Sequence, residues 1–214
     1  MRRALEGQGE PASQIVPSLI VGYNPELHLT QPDRAHARAL LAQAGYASGF
    51  EIRLDGTNNR YVNDTQILAE VARQLAEVGV RVRVNALEKS AFFALSASGQ
   101  SSFQLFGWSC EAGDAGDALD SLGHSRQANG LGDGNDVGLA DPELDRLIVA
   151  ANAARQSRER MLLLQRAMAR LGALRAYLPL HVQTESVLLS RRVDWDPPFL
   201  VNLVPAEMRR AASR

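Results

Sequence analysis

The chain reads as an α/β domain, on three observations. Val80-Arg-Val-Arg-Val84 alternates apolar and polar residues without a break, the mark of a half-buried strand. Ile67, Leu68, Val71, Leu75 and Val78 recur just before it at helical spacing. The same kinds of segment flank this pair, so the order runs strand–helix–strand–helix–strand. That order calls for a sheet layer with right-handed crossovers. With 214 residues, 45% of them hydrophobic, the chain is long enough to bury a core of its own.

The elements follow in order. Residues 1–25 are punctuated by Glu10-Pro11, Val16-Pro17 and Gly22-Tyr-Asn-Pro25 and read as extended chain with little helical character. Asp33 caps a helix over 33–44, with Ala35, Ala39, Leu40 and Leu41 mostly on one side and Gly45 as its stop. Residues 50–55 alternate as a strand. Asn63 or Asp64 caps the next helix, which Gly79 ends. A strand over 80–87, a short helix over 89–97 and a third strand over 102–108 complete the alternation. Residues 117–122 are helical. The glycine-rich stretch 129–138 carries Asp133, Asn135 and Asp136 but lacks the ligand spacing of an EF-hand, and reads as a surface loop. Asp141-Pro142 opens a helix with an N-cap and a proline at N1. Ser157 caps another, running to about Arg175, and 178–189 is extended.

Composition excludes several classes. The formal net charge is −1, which makes no electrostatic case for nucleic acid or an anionic membrane. No apolar run reaches the roughly 18 residues that span a bilayer. The positive start Met1-Arg-Arg has no apolar stretch behind it, so it is no signal peptide, and the opening reads like the middle of a longer chain. Arg2, Arg3, Arg209 and Arg210 read as solvated ends. His28, His36, His124 and His181 are scattered, with no H-x-x-H or H-E-x-x-H pair, which argues against zinc. Cys110 is the single cysteine, so no intrachain disulfide forms, and no base lies beside it in sequence to make it a nucleophile. No cofactor, metal or catalytic residue is expected, and the chain does not read as an enzyme.

The most informative segment is 103–117. An apolar stretch runs into Gly107-Trp108, and Glu111, Asp114 and Asp117 then place three acids in seven residues. Glycines at 107, 113 and 116 keep the loop free of bulk. Two arrangements fit: a core tryptophan followed by a solvated acidic turn, or an aromatic platform beside carboxylates for a guest bearing an ammonium group.

The ordered set of motifs decides what the chain resembles. Gly22-Tyr-Asn-Pro25 is followed by Asp33-Arg-Ala-His-Ala-Arg-Ala-Leu-Leu-Ala-Gln-Ala-Gly45, which looks like the helix "Y-D-P-x-K-A-K-x-L-L-x-E-A-G". Gly49-Phe50-Glu51, the run from Val71 to Val84, Gly107-Trp108, Asp141-Pro-Glu-Leu-Asp145 and Tyr177-Leu-Pro-Leu-His181 come next. In this order they resemble the carboxy-terminal part of the extracytoplasmic solute-binding proteins, family 5, which serve dipeptide, oligopeptide, glutathione and nickel ABC transporters.

The resemblance implies one lobe of a two-lobe, periplasmic-binding-protein type II-like fold. It divides the chain into a crossover segment, 1–25, from a first lobe that is not in this sequence, the α/β second lobe, 26–190, and a return segment, 191–214. It implies a periplasmic protein, monomeric at full length, that captures a peptide or peptide-like solute and presents it to permease subunits. A ligand-sensing module of the same fold is the alternative. Two roles carry over. Arg60, in Asn58-Asn-Arg-Tyr, matches the arginine that pairs with a peptide carboxylate, as a rigid guanidinium fork suits. Glu111 stands where dipeptide-binding members place an aspartate, three residues after Trp108, for the peptide amine, and is one methylene longer. Asp114 matches the loop's second acid, supporting Glu111 or standing in for it, and Trp108 lines the cleft.

Overall fold

The structure, a computed structural model, describes residues 2–184, 186–196 and 208–210. Its centre is a βαβ unit. β2 (Phe50–Thr57) and β3 (Val80–Leu87) pair in parallel, with Phe50 opposite Val80 and Thr57 opposite Leu87. α3 (Asp64–Ala76) connects them and covers one face of the sheet with Ile67 and Leu68, both buried. The alternation read from the sequence holds over its first four residues, Val80 buried and Val82 half-buried while Arg81 and Arg83 face solvent, but Val84, expected on the covered face, is exposed. Where α3 hands over to β3 the backbone passes very close to the entry of β2. A Cβ at Gly49, whose φ is 73°, would lie 1.9 Å from the Gly79 carbonyl oxygen, so only glycine fits there.

The opening is less extended than its punctuation suggests. A helical turn, α1 (Arg2–Leu5), buries Ala4 and Leu5 against Ile67, and β1 (Gly9–Pro11) pairs antiparallel with β4 (His181–Gln183). α2 (Arg34–Gln43) matches its sequence signals closely. The Asp33 carboxylate accepts from the His36 N–H at 2.9 Å. At the far end the N–H groups of Gly45 and Tyr46 donate to Ala42 and Leu41, a Schellman stop. Its expected apolar side is not buried, however: Leu40 stays half-exposed, and only Ala37 and Leu41 are partly covered. Polar ties hold the helix instead, through an Arg34–Glu77 ion pair and the Arg38 guanidinium on the Glu77 carbonyl at 2.6 Å.

α4 is Lys89–Ala97. The third strand, expected over 102–108, contracts to a single parallel bridge between Gln104 and Asp55. The Asp55 N–H donates to Phe103 and the Leu105 N–H to Asp55, at 3.0 and 2.8 Å. Beyond Leu105 the chain turns away toward the loop after β2. The Asp55 side chain pins this edge. It accepts from Ser101 Oγ at 2.6 Å, Asn85 Nδ2 at 2.7 Å and Arg53 Nε at 2.8 Å. Burial raises its pKa, but these three donors outweigh it and hold the carboxyl below its ordinary value.

The larger core lies in the second half. α5 (Gly116–Ala118) runs into a π-helical turn, Leu119–Gly123, and α6 (Pro142–Ala153) packs on α7 (Ser157–Leu174). Leu119, Leu144, Ile148, Leu164, Met168 and Leu171 fill the space between them, with Val16 and Ile20 from the opening segment. Asp141 caps α6 as its sequence indicates, accepting from the Leu144 N–H at 2.8 Å. At α7 the N-cap is Gln156, one residue earlier than Ser157, and no side chain caps it.

The glycine-rich stretch 129–138 is not wholly a surface loop. Asn135 is buried and binds the Leu139 N–H and the carbonyls of His124 and Leu139, while Gly132 is buried as well. β5 (Val193–Asp194) pairs with β6 (Arg209–Arg210). Of the stretch 191–214, expected as a return segment, residues 197–207 and 211–214 lie outside the described residues, as do the side chains of Arg2, Arg3 and Arg210.

Candidate functional site

Two loops meet at the carboxyl ends of the parallel strands, where open α/β sheets place ligands. The first follows β2. Its organiser is Asp64, the first residue of α3, which sequence reading offered only as a possible cap. Asp64 Oδ2 accepts from Thr57 Oγ1 at 2.9 Å and from the N–H groups of Arg60 and Tyr61 at 3.1 and 3.4 Å. Its other oxygen accepts from the Thr65 N–H at 2.9 Å. A buried carboxylate thus gathers donors at a helix N-terminus, where the backbone dipoles favour negative charge. Asn63 holds the left-handed conformation, φ 54°, and caps nothing with its side chain, donating instead to the Ala4 carbonyl at 3.0 Å. The Arg60 side chain that this loop presents is exposed. Its guanidinium carbon lies 5.1 Å from the Tyr61 ring centroid, and it makes no ion pair among the described residues.

The second loop carries Gly107, Trp108, Glu111 and Asp114. The Tyr61 ring lies against Gly107 and its hydroxyl donates to the Gly107 carbonyl at 3.3 Å, so the two loops touch. Trp108 is 40% exposed, which separates it from the core. Next comes a turn closed by the Gly113 N–H on the Cys110 carbonyl at 3.2 Å, with Glu111 exposed at its corner. Glu111 makes no hydrogen bond or ion pair among the described residues.

Asp114 is committed elsewhere. Its two oxygens take Arg160 Nε at 3.0 Å and Nη2 at 2.8 Å, and one of them also accepts from the Gly116 N–H at 2.7 Å. Burial pushes its pKa up, but the Arg160 hydrogen bond, the Gly116 N–H and the Arg160 charge together bring it below the ordinary carboxylate value. Arg160 reaches on to the Ala151 carbonyl at 2.7 Å. The loop is further tied to the opening segment, the Val21 N–H donating to Gly113 and the Ala115 N–H to Val21. Cys110 points into the core, and burial, then Asp117 and Asp114, push its thiol up to about 11.

Beside Trp108 lies an open cavity of about 270 Å³ lined by Asp117, Asp120, Ser121, Gly130 and Asp133 as well as the indole. Burial raises the Asp120 carboxyl, and Asn152 and Arg160 offset part of that. Sequence reading missed Tyr61, Asp64, Asp120 and Arg160. Asp64 had a local signal, as a helix-start acid; Arg160, 46 residues from Asp114, had none.

The model of the family described as bacterial extracellular solute-binding proteins, family 5 Middle, matches residues 1–130. The chain belongs to that family. Among its relatives, the glutathione-binding protein GsiB of Pectobacterium atrosepticum is 34% identical over 124 residues, 56% of this chain and 24% of that protein. Heme-binding protein A of Haemophilus influenzae is 28% identical over 170 residues, 76% of this chain and 30% of that protein. The family's fold extends past the matched region. The dipeptide binding protein from Pseudoalteromonas sp. SM9913, solved in complex with Met-Leu, superposes on 99% of this chain and 42% of its own with a TM-score of 0.79 at 20% identity. HbpA2 from Haemophilus parasuis gives 0.79 at 25% identity over 89% of this chain and 38% of its own. The α/β unit described above is therefore a partial lobe of a periplasmic-binding-protein fold, and it spans about a quarter to two fifths of the length of these relatives.

Proposed function

We propose that this chain supplies the second lobe of a two-lobe periplasmic protein that captures a peptide-like zwitterion and delivers it to the permease subunits of an ABC transporter. The observation that supports this is a cation and an anion, Arg60 and Glu111, neither of them in an ion pair among the described residues, on two loops that touch through Tyr61 and Gly107. In this reading Arg60 takes the solute carboxylate, Glu111 its ammonium group, and Trp108 packs against the backbone between them. Asp114, held by Arg160, keeps the loop in shape and leaves the amine to Glu111. The reading requires binding and no chemistry on the solute. GsiB and the dipeptide binding protein carry glutathione and a dipeptide in their names, and both are zwitterions of this kind. None of the relatives named above is a regulator, so the sensing alternative has no observation behind it.

The test is calorimetric titration of the full-length protein with dialanine and N-acetyl-dialanine. Glu111→Gln leaves a desolvated ammonium unpaired, which costs about 2–5 kcal/mol in such pairs. The free-amine peptide should lose at least about 30-fold in affinity and the acetylated one little. Equal losses would take Glu111 out of the amine-binding role.

A further inference from the structure

The two site loops touch through the Tyr61 ring, and its geometry has a consequence for the solute. A Cβ placed on Gly107 would lie 2.9 Å from Tyr61 Cε1, 3.3 Å from Cζ and 3.4 Å from Cδ1, so the ring lies against the backbone at 107 and a side chain there would have to displace it. The hydroxyl fixes the ring from its far end by donating to the Gly107 carbonyl at 3.3 Å. The ring also carries the Arg60 guanidinium, 5.1 Å from its centroid. The base of the strut does not swing, because the N–H groups of both Arg60 and Tyr61 donate to the buried Asp64 carboxylate.

We propose that Tyr61 is a positioning residue that sets the separation between Arg60 and the Trp108–Glu111 loop, and thereby the length of peptide the site accepts. The inference rests on the roles given above to Arg60 and Glu111. Removing the ring that rests on Gly107 and carries Arg60 lets the two loops close by about one carbon–carbon contact distance, roughly 3.5–4.0 Å. One residue of extended peptide adds about 3.3–3.6 Å. The ring is therefore worth about one residue of solute length. Gly107 belongs to the same device, since any larger residue would force the ring and the Trp108 loop apart.

The experiment has two arms, both on the full-length protein. In the first, alanine peptides of two, three and four residues are titrated by calorimetry against wild type, Tyr61→Phe, Tyr61→Leu and Tyr61→Ala. In the second, all tryptophans except Trp108 are replaced by phenylalanine, Trp195→Phe among them, and acrylamide quenching follows Trp108 without any ligand. Tyr61→Phe keeps the ring and should keep both the length ranking and the quenching. Tyr61→Ala should move the preferred length by one residue. The affinity ratio between adjacent lengths should change by about tenfold, as when one charge-assisted hydrogen bond is lost. Quenching of Trp108 should change, because the loop that carries the indole moves with Gly107. Tyr61→Leu should follow Tyr61→Ala, and it carries the test if the alanine variant does not fold. An unchanged length ranking or unchanged quenching in the ringless variants overturns the proposal. Failure of the underlying site shows differently: Arg60→Ala and Glu111→Gln would then leave alanine-peptide binding as it was. If those two weaken binding while the ringless variants keep the ranking, only the role of Tyr61 falls.

Discussion

The Asp114–Arg160 pair is the interaction most exposed to a quantitative test. Asp114→Ala removes both limbs of a bidentate bond and the acceptor for the Gly116 N–H at the start of α5. Exposed ion pairs contribute about 0.2–1 kcal/mol, while breaking a fully buried one costs about 3–5 kcal/mol. With side chains 27% and 25% exposed, Arg160 and Asp114 fall between those limits. A double-mutant cycle of Asp114→Ala with Arg160→Ala should give a coupling of about 2 kcal/mol. The single Asp114 variant should lower the melting midpoint by about 4–8 °C, for a chain of this size. Circular dichroism during urea and thermal unfolding measures both.

The pH dependence has a definite sign. The folded carboxyl sits below its ordinary value of 3.8, so the pair's contribution is fully present above that value and is lost as the pH falls from there through the folded pKa. The Arg160 pKa is raised, so it keeps its charge throughout. The coupling should therefore hold at pH 7 and shrink below about pH 4. A coupling below about 0.5 kcal/mol at pH 7, or one that grows in acid, would refute the reasoning.

Two further outcomes follow from buried groups. Asn135→Ala strips three hydrogen bonds from the 129–138 loop and leaves the Leu139 N–H and two carbonyls without their partner. It should cost about 2–3 kcal/mol in urea unfolding, against under about 0.5 kcal/mol if the loop were merely a surface loop. Cys110, with its thiol near 11 and its side chain in the core, should react with a disulfide reagent at pH 8 at least about a hundredfold more slowly than an unperturbed thiol. Rapid labelling of the folded protein would contradict that burial.

What the sequence determined by itself is what local physics carries. The strand over Val80 to Val84, the spacing of Ile67 and Leu68, the Asp33 and Asp141 caps and the Gly45 stop each depend on residues within one or two turns, and each matches the structure, though Val84 lies exposed where the alternation would cover it. The order of its motifs was enough to identify the family, and it put Arg60 and the Trp108 loop forward as candidates. Only the tertiary structure decided the rest. The third strand was cut to a bridge because the chain past Leu105 leaves the edge of β2 to meet Tyr61. α2 kept its caps but lost its expected burial, because no sheet face covers it. Asp114 turned out to be bound to Arg160, and Asn135, in a stretch that looked solvated, became a buried fastening. These outcomes depend on contacts such as Tyr61 with Gly107 and Asp114 with Arg160, each between residues 46 apart. Periodicity and capping report on neighbours in the chain, and they carry no information about which distant side chain will arrive.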